Sequence, residues 1–155
     1  MVSLVVHAIL GIAVIAFIVG SNRPIFARTA TGPALSLLEI VYYVVGIASI
    51  ALGWYFNIRY VAEYHVSNPV TGWIDYIKLM FVNPAAGSAS QDYTIGNVIL
   101  LPLMTIIDGY RRGIRHPWLY FVSSLFTSFA FAWAFYLVTV ERQRRHQPAA
   151  VRESV

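Results

Sequence analysis

The sequence predicts an all-α integral membrane protein, a four-helix bundle with a short interfacial helix between the second and third spans. Of its 155 residues, 58% are hydrophobic and 12% are charged, and the mean hydropathy is +0.64. A soluble domain of this size would carry more charge. The charged residues are clustered, and the apolar runs between the clusters are long enough to cross about 30 Å of hydrocarbon. Aromatic residues, 15% of the chain, suit headgroup-level anchors.

Four apolar runs are the predicted spans of a single transmembrane domain over residues 1–141. They cover about 3–20, 34–57, 93–110 and 118–140. The first run has the length of a signal peptide, but no basic segment precedes it and Arg28 stands where cleavage needs a small residue. We therefore expect a retained first span. Ala16 and Gly20 form a small-residue pair that would let another helix approach closely.

The segments outside the spans have their own patterns. Thr71 is the expected N-cap of a short interfacial helix over Trp73–Val82, on which Asp75 and Lys78 can pair. Residues 83–92 are expected to unwind this helix and lead into the third span. Residues 142–155 are rich in arginine and are predicted to form a basic, mobile tail.

In the four-span interpretation, the two sides of the membrane have nearly equal numbers of basic residues, so orientation is only weakly predicted. Both termini then share one side with the 57–92 connection, and that side holds six basic residues against five. The dense basic tail favours cytoplasmic termini under the positive-inside rule. We therefore expect a multi-pass protein of a bacterial cytoplasmic membrane.

The charged stretch from Asp108 to Trp118 is the first candidate site. A helix carried one turn beyond Asp108 would place its carboxylate against Arg111 or Arg112. This pairing would fix the turn between the last two spans and anchor both at the headgroups. Alternatively, it forms a contact site for an anionic lipid headgroup or a partner protein. The contact residues in either case are Asp108, Arg111, Arg112, Arg115 and Trp118.

Polar residues within the spans are the second candidate site, because ionisable groups in hydrocarbon are costly. They are Glu39 in the second span, Asp92 at the mouth of the third and Asn97 within it. Asp92 and Asp108 are sixteen residues apart, about 24 Å along a helix, and cannot form a catalytic pair. Pro102 frees a carbonyl near Val98, and Asn97 lies close enough to help satisfy it. Glu39 is alone in its span, and it is either a functional ionisable group or a neutral or hydrogen-bonded glutamate at a contact between helices or near the interface.

No cofactor, metal site or catalytic residue is predicted. His7 would need a second intramembrane histidine to hold a haem, and the other histidines fall in loops or the tail. The absence of cysteine excludes thiolate ligands and disulfides. Phosphate-binding, hydrolase and zinc-protease motifs are missing. The net charge of +4 is better explained by lipid headgroups than by nucleic acid.

The chain resembles the domain of unknown function 2834 family of small bacterial membrane proteins, from about Gly53 to Arg145. The matching residues are Asn83-Pro84-Ala85, Asp92, the turn Asp108–Arg115, Trp118 and Glu141-Arg142. Asp108 replaces a usual glutamate, Tyr110 is inserted, and His116-Pro117 also departs from the pattern. The resemblance leaves the first span as an addition. It implies no activity.

The patterns favour a non-catalytic accessory or assembly subunit of a larger membrane complex. Its expected partners are membrane lipids, including anionic headgroups, and other membrane-protein subunits or further copies of itself. Two alternatives stay open. One is a small oligomeric transport or lipid-handling protein that uses Glu39 and Asp92. The other is a membrane enzyme acting on a lipid or isoprenoid, which needs those two acids to converge.

Overall fold

The structure is a computed structural model that describes residues 2–28, 32–66 and 68–146. The described residues form helices and turns. The helices are α1 (Val2–Ser21), α2 (Arg23–Phe26), α3 (Leu37–Glu63), α4 (Pro69–Met80), α5 (Pro84–Thr94), a π-helical segment (Ile95–Leu100), α6 (Leu101–Arg111), α7 (Leu119–Ser124) and α8 (Phe129–His146). Three helices are long and apolar enough to cross a membrane: Leu4–Ser21, Leu37–Glu63 and Pro84–Arg111. The all-helical class is confirmed.

The predicted fourth span, 118–140, is wrong as a single helix. α7 ends at Ser124, four residues form a turn, and α8 begins at Phe129 and runs back. The hydroxyl groups of this stretch stabilise the break. Thr127 donates to the Ser123 carbonyl at 2.7 Å, and Ser128 accepts from the Phe131 amide at 3.1 Å as a helix cap.

The turn at residues 125–128 lies midway along the bundle. A Cβ on Gly11 would be 3.3 Å from Thr127, and the Ser128 hydroxyl is 2.7 Å from that of Ser49. Gly11 lies ten residues before the end of α1, or about 15 Å at the helical rise. The α7–α8 hairpin therefore enters the bundle from one end, turns inside it and leaves at the same end.

Contacts between helix ends define the direction of each helix. Asn22 bonds to the backbone of Arg115, Arg142 pairs with Glu39, and Gln143 donates to the Arg112 carbonyl at 2.5 Å. We call this the arginine-rich end. The opposite end holds the start of α1, the end of α3, α4 and the start of α5. Val2 and His146 consequently lie at opposite ends of the described bundle, whereas four helices running end to end would have placed them at the same end.

The connection between α3 and α5 differs in detail from expectation. α4 begins at Pro69, not Trp73, and its N-cap is Asn68, which accepts from the amides of Val70 and Thr71. Residues 84–92, predicted as a loop, are helical, because Asn83-Pro84 forms an N-cap with a proline in the first turn. The expected Asp75–Lys78 ion pair is present at 2.9 Å.

The second and last helices also shift. α3 begins at Leu37 rather than 34, after the Ser36 cap. α8 ends at His146, within the stretch predicted as a mobile tail, and residues 147–155 lie outside the described residues.

Burial is concentrated in the hairpin. Tyr120, Ala132, Phe135, Val138 and Thr139 are at most 5% exposed, whereas large apolar side chains along α1, α3 and Pro84–Arg111 face outward. A surface of this kind suits hydrocarbon surroundings rather than water. The three long helices therefore surround the hairpin.

Candidate functional site

Glu39 lies in the first turn of α3 as part of a capping box. The Ser36 hydroxyl accepts from the Glu39 amide at 3.1 Å, and Glu39 Oε2 accepts from the Ser36 amide at 2.7 Å. This reciprocal pair satisfies two amides that a helix start leaves unbonded. Glu39 is fully buried at the arginine-rich end, not in the middle of a span.

Two arginines of α8 meet this carboxylate. Arg142 Nη1 donates to Glu39 Oε1 at 2.8 Å, and Arg145 donates to Glu39 Oε2. The rest of the Arg142 guanidinium donates to the carbonyls of Ile25, Phe26 and Ala27 at 3.0–3.3 Å. Glu39 is thus hydrogen-bonded across a contact between helices, by partners that its own span did not reveal. We call Glu39, Arg142 and Arg145 the ion cluster.

The ion cluster ties three separate segments together. Arg142 joins the carbonyls at the end of α2 to the start of α3, and Arg145 also donates to the Pro33 carbonyl. Ser36 in addition donates to Glu141 at 3.4 Å. A buried carboxylate is tolerated only when charge and hydrogen bonds compensate it, and both of its oxygens are compensated here.

Asp108 has the predicted partner Arg112, whose Nε lies 2.6 Å from Oδ2. A second partner was not predicted: the hydroxyl of Tyr136, on α8, donates to the same oxygen at 2.7 Å. Gly109 permits Pro117 to pack closely against α6, because a Cβ at position 109 would lie 2.4 Å from the Pro117 side chain. The turn after α6 is thereby fixed against the hairpin.

The other predicted contact residues lie around this turn. Arg111 and Arg115 are exposed, and Trp118 is 43% exposed at the start of α7. The backbone of Arg115 is held by Asn22, whose side chain accepts from its amide at 2.9 Å and donates to its carbonyl at 3.1 Å. The structure thus brings Asp108 and Arg112 together and leaves the other three at the surface.

Asn97 and Asp92 are separated from these groups. Asn97 lies in the π-helical segment, 5% exposed, and donates to the Tyr93 hydroxyl at 3.2 Å. Asp92 is exposed and accepts from Gln91. It stands nineteen residues before Arg111 along one helix, about 28 Å, and so lies at the other end from Glu39. The structure does not bring Glu39 and Asp92 together.

Sequence reasoning missed Arg142, Arg145, Asn22 and Tyr136. One indication was available, since Ser36-Leu-Leu-Glu39 has the capping-box spacing and predicts Glu39 at a helix start. The long-range partners had no local indication. Within the described residues, no three histidine, aspartate or glutamate side chains converge as metal ligands would. The site's chemistry is pairing of charges between segments.

The comparisons identify a family and nothing further. The family described as Protein of unknown function DUF2834 matches residues 41–142. That match begins within α3, leaves out α1 and covers about two thirds of the chain. Neither the search of curated proteins nor the search of solved structures found a match.

Proposed function

The chain belongs to the DUF2834 family, and we propose that it is a non-catalytic accessory or assembly subunit of a larger membrane complex. The observation that carries the proposal is an unpaired close-approach surface on α1. Ala16 and Gly20 are exposed, and a Cβ placed on Gly20 would meet nothing within 4 Å. Small residues spaced by four are typical of surfaces where two membrane helices pack.

The hydrogen bonding of Glu39 and Asp108 favours an assembly role over catalysis or proton transport. Both oxygens of Glu39 accept hydrogen bonds, and Oδ2 of Asp108 accepts two. Acid–base catalysis or proton transport needs a carboxylate that can reach its substrate. The ion cluster instead holds a helix start, a loop and the last helix as one body, as a docking subunit requires. The transport and enzyme alternatives, which rely on Glu39 with Asp92, gain no support from the positions of these residues.

We also propose that the arginine-rich end faces the cytoplasm. With the hairpin entering and leaving at one end, the basic residues are no longer evenly divided. Among the described residues, the arginine-rich end has Arg23, Arg28, Arg111, Arg112, Arg115, Arg142, Arg144 and Arg145, and the opposite end has Arg59 and Lys78. Eight against two favours this orientation under the positive-inside rule. The three long helices would then cross the membrane, and α7–α8 would form a re-entrant hairpin.

Copurification tests the assembly role. The tagged chain is extracted in mild detergent, and the proteins that accompany it are identified and quantified. We expect one or more larger membrane subunits in stoichiometric amount. Gly20→Leu should abolish the association, whereas Ala51→Leu, at an exposed alanine of α3, should preserve it. Recovery of a homo-oligomer alone, or association indifferent to Gly20→Leu, would contradict the proposal.

Orientation is tested separately by labelling. Single cysteines are introduced at Tyr64, near the end of α3, and at Gln143 in α8, since the native chain has none. A membrane-impermeant thiol reagent applied outside intact cells should label the first position and spare the second. The reverse pattern would mean that the arginine-rich end faces outward.

A further inference from the structure

An apolar groove runs between α3, the π-helical segment and α8. Its volume is about 460 Å³, within the size range of ligand-binding pockets. The side chains at its centre are Val45, Leu100 and Trp133, and Leu137 and Val41 lie toward the arginine-rich end. Nothing in the site described above uses this groove.

The depth of the groove corresponds to one leaflet of a bilayer. Its lining on α8 extends from Phe129 to Leu137, eight residues or about 12 Å along the axis. Half of a hydrocarbon core is about 15 Å. A transmembrane helix of a partner would need a surface along the full height of the bundle, and this groove ends where the hairpin turns. An acyl chain entering from the arginine-rich end fits the length.

Exposed cations stand above the groove. Arg144 is seven residues beyond Leu137 and Arg111 eleven beyond Leu100, so each arginine lies on the groove-facing side of its helix. Both are exposed. Arg144 also lies 3.3 Å from Glu141, whose other oxygen accepts from Ser36, so its charge is shared but not buried. At the helical rise, Arg144 lies about 10 Å and Arg111 about 16 Å beyond the lining, the level at which an anionic headgroup would sit above an acyl chain in the groove.

We infer that the groove binds a lipid with an anionic headgroup, its acyl chain against Trp133 and its headgroup at Arg144 and Arg111. The two arginines select lipids by the charge of the headgroup, and the groove selects them by the shape of the acyl chain. It takes its ligand directly from the surrounding membrane. The inference does not depend on the assembly role, since vesicles that contain this chain alone can test it.

Trp133 supplies the measurement. In a variant whose only tryptophan is Trp133 (Trp54, Trp73 and Trp118→Phe), a lipid with brominated acyl chains quenches its fluorescence on contact. The protein is reconstituted in phosphatidylcholine vesicles with equal fractions of brominated phosphatidylglycerol or brominated phosphatidylcholine. We expect stronger quenching by the anionic lipid. Native mass spectrometry of the unmodified chain should show retained phosphatidylglycerol, a check independent of the tryptophan replacements.

Two variants with matched controls localise the binding. Arg144→Gln should lower the preference for phosphatidylglycerol about fivefold, the effect of one cationic contact at a membrane surface, and Arg59→Gln at the opposite end should not. Val45→Phe should fill the groove and reduce quenching by both lipids, whereas Ile47→Phe, which is exposed outside the groove, should not.

Three results would overturn the inference. The first is equal quenching by the two lipids, and the second is a preference that neither Arg144→Gln nor Val45→Phe alters. The third is a Trp133 that neither lipid quenches, because a protein surface, such as a second copy, would then cover the groove. In each case the copurification result with Gly20→Leu would still stand or fall by itself.

Discussion

The two ends of the bundle use the same charged residue types in different ways. At the opposite end, Arg59–Glu63 and Lys78–Asp75 are pairs within one helix, and each side chain is more than half exposed. At the arginine-rich end, Glu39 and Arg142 are 103 residues apart in the chain and nearly fully buried. Exposed pairs contribute little to stability, whereas removal of one partner from a buried pair leaves an uncompensated charge and is strongly destabilising. Location, not pairing itself, decides what a charge contributes.

Removal of the buried acid should have the largest effect. Glu39→Gln would leave Arg142 and Arg145 without their counter-charge, and we expect a loss of about 3–5 kcal/mol of stability. The matched change at the opposite end, Glu63→Gln, should cost less than about 1 kcal/mol. The measurement is unfolding of each purified variant in detergent, followed by circular dichroism. Equal losses of stability in Glu39→Gln and Glu63→Gln would show that burial does not decide what a charged pair contributes.

The sequence predicts the local pairs and not the long-range ones. Asp108 with Arg112 and Asp75 with Lys78 are visible because helical spacing brings them together. The partners of Glu39 depend on where α8 ends and which way it runs. That direction depends in turn on the break at residues 125–128, which contains neither glycine nor proline. Hydropathy measures how apolar a stretch is, and it cannot distinguish one crossing helix from a hairpin of equal length.

Loss of the Tyr136 hydroxyl should have the second-largest effect on stability. Tyr136→Phe removes a hydrogen bond to the ionised Asp108, and bonds to charged groups contribute about 1.5–3 kcal/mol. Tyr60→Phe removes a bond of the same 2.7 Å length, to the Gly72 carbonyl at the opposite end, and should cost about 0.5–1.5 kcal/mol. The same unfolding measurement compares them. A larger loss for Tyr60→Phe would contradict the importance assigned to the arginine-rich end.

Close backbone approach gives a third comparison. Gly109→Ala would push a Cβ to 2.4 Å from the Pro117 side chain, and we expect a loss of about 1–3 kcal/mol from overpacking. Gly53→Ala, where a Cβ meets nothing, should be neutral or stabilising because alanine favours the helix. The fraction of folded protein that remains on size exclusion after heating would rank the two variants. A tolerated alanine at 109 would mean that α6 can move away from the turn.

Loss of a helix cap should give the smallest difference in stability between the two ends, because a cap stabilises only the first turn of its own helix. Ser36 caps α3 at the arginine-rich end, and Asn68 caps α4 at the opposite end. Replacing either by alanine should cost about 1 kcal/mol. If Ser36→Ala costs several kcal/mol more than Asn68→Ala, the cap and the ion cluster are coupled, because the Ser36 hydroxyl holds the Glu39 amide and so the first turn that presents the carboxylate to both arginines. A double variant, Ser36→Ala with Glu39→Gln, then separates the two contributions: independent effects add, and coupled effects fall short of their sum.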